Sequence, residues 1–80
     1  MAKQSSNSEM ARFRIRLARI RQSKDLSARG LSLRMGKSEG YINSIENGHI
    51  IPPMDFVFQI CETLEITPVD LFRPLDNSGK

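Results

Sequence analysis

Leu31 and Met35 stand one helical turn apart, Ser32 beside them is small, Gly36 follows, and Ile42 and Ile45 resume the apolar spacing six residues later. No other feature constrains the fold of this chain as strongly. Two helices that cross steeply through a turn of three or four residues need a small side chain where their backbones approach, and Ser32 supplies it. They need glycine where the backbone takes positive φ, and Gly36 is placed for that. The two apolar pairs hold both helices to a shared core and leave the outer face of the second helix free.

The remaining segments also read as short helices. Met10, Phe13, Leu17 and Ile20 form one apolar stripe, flanked by Arg12, Arg16 and Arg19 on one side and by Arg14 and Arg21 on the other. Ser23-Lys24-Asp25 breaks that helix. Ser27 is a good N-cap for the next, whose inner face is Ala28, Leu31, Ser32 and Met35. Ser38 is expected to cap a third helix that Gly48 closes. After Pro52-Pro53, a fourth helix is expected to turn Met54, Val57, Phe58, Cys61 and Leu64 inward. On that reading Phe56 and Leu33 lie off the core. Thr67-Pro68-Val69-Asp70 gives an N-cap, a proline at the first helical position and an acid in the first turn, hence a short fifth helix ending near Phe72. Nothing alternates with a strand's period, and nothing repeats. The expected fold is all-α with five helices over residues 9–73, between a flexible N-terminal tail (1–8) and a C-terminal tail (74–80).

Eighty residues allow one small core. With 39% hydrophobic and 26% charged residues the composition is that of a globular domain, not a disordered chain. No apolar run approaches the ~20 residues of a bilayer span, and the N-terminus lacks the apolar stretch of a secretory signal. One cysteine, Cys61, and one histidine, His49, make neither a disulfide framework nor a zinc cage. The expectations are a reduced, cytoplasmic context, no metal, no cofactor, no small-molecule ligand and no enzyme. Cys61 reads as core packing and His49 as a solvated loop residue.

Charge is unevenly spread. Residues 1–40 carry ten Lys/Arg against three Asp/Glu, while residues 41–80 carry two against six. A basic half suits a polyanion surface, or else a solvated arginine-rich helix without a partner.

Leu26-Ser27, Gly36, Tyr41-Ile42, Ile45-Glu46-Asn47-Gly48 and the ending Ile66-Thr67-Pro68-Val69-Asp70-Leu71-Phe72 decide between these. With them, about residues 12–72 resemble the lambda repressor/Cro-like (Xre) family of helix-turn-helix transcriptional regulators. The resemblance implies a compact domain that binds double-stranded DNA sequence-specifically through a motif at about 28–47. A recognition helix at about 38–47 would enter the major groove, and the N-terminus of the second helix would lie on the backbone. Ser38, Glu39, Gly40, Tyr41, Asn43 and Ser44 then fall on the DNA-facing surface. Asn43 is the best base reader, because its amide can pair bidentately with adenine. Ser38 would meet a phosphate, Asn47 and His49 the backbone beyond the helix, and Ser27, Arg29 and Lys37 the edges of the motif. Arg21 occupies the position of an arginine that pairs with the glutamate equivalent to Glu46.

Three positions depart from the family pattern. Ala28 stands where glutamine commonly touches phosphate, Glu39 turns a negative charge toward a polyanion, and Gly40 offers no side chain. Paired half-sites would require self-association through the domain itself, so a homodimer is expected; Phe56, which lies off the expected core stripe, with Ile60, Leu71 and Phe72, supplies the candidate contact residues. The rival reading is a protein-interaction module on a degenerate helix-turn-helix scaffold.

Overall fold

A computed structural model describes the backbone of residues 2–73 and the side chains of residues 9–73. The described residues form five helices: α1 (Ala2–Ser23), α2 (Ala28–Arg34), α3 (Tyr41–Glu46), α4 (Met54–Leu64) and α5 (Pro68–Phe72). There is no strand among the described residues. Helix α1 begins inside the segment expected to be a loose tail, while the expected C-terminal tail lies outside the described residues. No described helix is long and apolar enough to cross a membrane.

One core gathers residues from all five helices. Phe13 and Leu17 of α1, Leu31 of α2, Ile42 and Ile45 of α3, Leu71 of α5 and five residues of α4 are buried together. The stripe of α1 holds as expected, with Met10 and Ile20 partly buried at its ends. Helix α5 is tied to α1 twice. Arg16 donates to the Asp70 carbonyl from Nη2 at 2.9 Å and from Nε at 3.3 Å, and the rings of Phe13 and Phe72 stack with centroids 5.5 Å apart.

Helix α4 is rotated from the expected orientation. Phe56, Val57, Ile60, Cys61 and Leu64 are its buried residues, whereas Met54 and Phe58 are exposed. Seven of its eleven residues are apolar, so its periodicity defines no single inner face. Its neighbours decide instead. Phe56 meets the edge of Tyr41 at the start of α3, with centroids 5.0 Å apart and the rings nearly perpendicular. Phe56, Ile60 and Leu71 are therefore core residues and not candidates for a dimer contact; of the four, only Phe72 remains exposed.

Helix termini follow local chemistry. The Ser27 hydroxyl accepts from the Gly30 amide at 2.9 Å. Thr67 and Asp70 form a reciprocal capping box, each side chain accepting from the other's amide, with Pro68 at the first helical position. The hydrogen bond from the Thr67 amide, then that from the Thr67 hydroxyl, hold the Asp70 carboxyl below its ordinary value. A carboxylate with a lowered folded pKa stabilises fully above its unfolded pKa, and that contribution is lost as pH falls through the folded value. The Tm difference between wild type and Asp70→Asn is therefore expected to be full at neutral pH, to begin shrinking near about pH 4 and to vanish only as pH falls through the lower folded value. A pH-independent difference would show that the carboxylate's charge is not what caps α5.

Candidate nucleic-acid interface

The crossing of α2 and α3 is held by one hydroxyl. Ser32, fully buried, donates to the Ala28 carbonyl at 2.8 Å and accepts from the Ile42 amide at 2.9 Å. It fills the close approach and also satisfies an amide in the first turn of α3, which would otherwise be buried without a partner. Gly36 takes φ 75°, and the Lys37 amide reaches back to the Ser32 carbonyl at 2.9 Å. Ile42 and Ile45 are fully buried, so α3 cannot rotate without exposing them.

The helix itself is shorter than expected. It starts at Tyr41, and residues 38–40 form a turn in which the Tyr41 amide donates to the Ser38 carbonyl at 3.1 Å. Ser38 is not its cap; Gly40 occupies the N-cap position and makes no side-chain bond. Glycine loses helix propensity by about 1 kcal/mol against alanine, and here it ends the turn instead of joining the helix. Gly48, at φ 82°, closes the other end as expected, with the His49 amide on the Ser44 carbonyl at 2.8 Å.

Arg21 and Glu46 lock the back of the motif. The Arg21 guanidinium donates from Nε at 2.8 Å and from Nη2 at 3.0 Å to the two carboxylate oxygens, and from Nη1 to the Leu26 carbonyl at 2.8 Å. Each side chain is only 11% exposed. The pair ties α1 to the last turn of α3 and to the loop entering α2.

What faces outward is a band of small and polar groups. Ser27, Arg29, Lys37, Ser38, Glu39, Gly40, Asn43, Asn47 and His49 are exposed, while Ala28, Tyr41 and Ser44 are half-buried. Tyr41 belongs as much to the core, through Phe56, as to the surface. Lys37 lies with Nζ 5.1 Å from the centroids of both the Tyr41 and Phe56 rings, a cation–π seat at the edge of the band. The negative charge of Glu39 does not stand alone. Its Oε1 accepts from Arg29 Nε at 2.5 Å across the α2–α3 turn. Arg14 is the cation that sequence reasoning left as a helix flank. Its guanidinium lies against Gly48, whose Cβ position would stand 3.5 Å from the guanidinium carbon. No carboxylate pairs with it among the described residues.

The outward band is made of small, polar and charged side chains. No cluster of ligand-type side chains occurs among the described residues. Cys61 is buried away from it, and burial first, then the nearby Asp70 charge, push its thiol pKa up, leaving an inert core thiol.

A buried-faced short helix with a polar outer face, set across a serine-linked turn, is the arrangement of a helix-turn-helix. The helix-turn-helix family pattern matches residues 17–71. The chain belongs to that family. It is a lambda repressor-like DNA-binding regulator domain, as the resemblance implied. The uncharacterised HTH-type transcriptional regulator y4dJ of Sinorhizobium fredii (strain NBRC 101917 / NGR234) is 30% identical over 61 residues, covering 76% of this chain and 79% of its own. No solved structure matches.

Proposed function

We propose that this helix-turn-helix domain is a cytoplasmic, non-enzymatic transcriptional regulator that binds double-stranded DNA sequence-specifically as a homodimer, with α3 in the major groove. The observation that carries this is Asn43: an exposed amide at the centre of α3, away from the buried Ile42 and Ile45, on a helix held in place by Ser32 and by the Arg21–Glu46 pair. Ser44, Ser38 and the Ser27 cap supply hydroxyls around it. Arg14, Asn47 and His49 flank one end of the helix and Lys37 the other, where phosphates would pass.

Selection of bound duplexes from a random pool tests the reading, and a defined motif is the expected result. On the selected site, Asn43→Ala is expected to cost about 1–3 kcal/mol and to change little on unrelated DNA, because it removes a base contact. Arg14→Ala and Lys37→Ala are expected to weaken both kinds of DNA alike and to reduce the salt slope by about one unit each. If none of these substitutions alters affinity, the outer face of α3 is not a DNA surface, and the protein-interaction reading replaces this one.

Two half-sites need two copies. Phe72 rims an apolar groove with Ile51 and Met54, over a floor of Met10, Phe13, Pro52 and Val57. Ile51 is 76% exposed, Met54 57% and Phe72 50%, an unusual concentration of large apolar side chains on one face. A second copy seated there would cover them. Sedimentation is expected to show a dimer at high micromolar concentration that Ile51→Asp converts to monomer. Wild-type protein that stays monomeric with and without duplex would exclude this interface.

A further inference from the structure

We propose that the Arg29–Glu39 ion pair reads one C·G base pair as a unit, an inference that rests on the DNA-binding reading above. The pair joins the second residue of α2 to the turn that enters α3, and both side chains are mostly exposed, at 71% and 65%. An exposed pair of this kind contributes less than ~1 kcal/mol to a fold. Its position on the outer band therefore calls for another explanation than stability.

Geometry supplies one. Arg29 uses Nε for Glu39 Oε1, and no other hydrogen bond among the described residues engages its two terminal nitrogens or Glu39 Oε2. The pair thus presents a fork of donors beside a single acceptor. In the major groove a G·C pair offers two neighbouring acceptors on guanine, N7 and O6, followed by the N4 amino donor of cytosine. An A·T pair places its amino donor between two acceptors, which a fork of donors beside one acceptor does not match. The match also has a direction, with the guanidinium on guanine and the carboxylate on cytosine.

Two surroundings favour this use. Gly40, next to Glu39, has nothing within 4 Å of where a Cβ would stand, so a base edge can come close. Neutralising Glu39 with Arg29 also removes the repulsion that a lone carboxylate would feel from phosphates. The residue that departs most from a DNA-binding pattern becomes a specificity element.

Random-duplex selection with wild type, Glu39→Gln and Arg29→Gln tests this, each variant being checked for wild-type helicity by circular dichroism. Wild type is expected to select a motif in which one column per half-site is C·G. Glu39→Gln and Arg29→Gln are each expected to reduce discrimination at that column by roughly five- to 150-fold, leaving the columns read by Asn43 unchanged. A wild-type motif without such a column overturns the proposal, and so does a column that both variants keep. So does Glu39→Gln binding every duplex more tightly with an unchanged profile, since the carboxylate would then only repel. Wild type that selects no duplex at all overturns the DNA-binding reading together with it.

Discussion

Replacing Glu46 with alanine is expected to lower the unfolding free energy by about 3–5 kcal/mol, the cost of stranding one member of a buried ion pair. Arg21, only 11% exposed in the intact pair, would keep its bond to the Leu26 carbonyl but lose both bonds to the carboxylate. A domain of this size has about 5–15 kcal/mol in total, so a large unfolded fraction should appear near physiological temperature. Glu46→Gln, which keeps an acceptor and loses the charge, should fall between wild type and Glu46→Ala. The double replacement Arg21→Met with Glu46→Leu should recover most of the loss, because neither buried charge then remains. Urea unfolding followed by circular dichroism checks all three. A loss below about 1 kcal/mol for Glu46→Ala would mean that the pair behaves as a solvated surface bridge.

Phe56→Ala is expected to cost about 3–5 kcal/mol, as for other large aromatic truncations in a core. The ring is 4% exposed, meets Tyr41 edge-on and lies beneath the Lys37 ammonium. Its removal therefore loosens the first residue of α3 as well as the core. The expected loss is the same at low and high protein concentration. A loss that shrinks as concentration rises would instead assign Phe56 to a subunit contact, the role its place in the sequence suggested.

That misplacement shows where sequence reasoning reaches its limit in this chain. Capping is chemistry between near neighbours, so Ser27 and the Thr67–Asp70 box could be read directly. Gly36 and Gly48 were legible for the same reason, each terminating a run of apolar spacing at positive φ. The inner face of α4 was not legible, because Met54, Phe56, Phe58 and Ile60 are all apolar and only the helices packed against them select among them. The start of α3 was misread at Ser38, since serine is a good cap in principle but Gly40 lets the turn close first. The Arg21–Glu46 pair could be anticipated only through the family resemblance. Arg29–Glu39 and Arg14–Gly48 carried no signal, because ten and thirty-four residues separate partners that only the folded chain brings together. Ser32 was placed correctly as the small residue at the crossing; its hydroxyl bond to the Ile42 amide required the structure.

The central claim is that the outer face of α3 and its flanking cations bind the major groove and backbone of DNA. The most direct measurement is the affinity of the purified protein for its selected duplex across a range of salt concentrations, followed by fluorescence anisotropy. The account predicts that log K falls linearly with log[salt], with a slope of several units that Arg14→Ala and Lys37→Ala each make shallower by about one. An affinity that does not change with salt, or a slope that neither substitution alters, would contradict it.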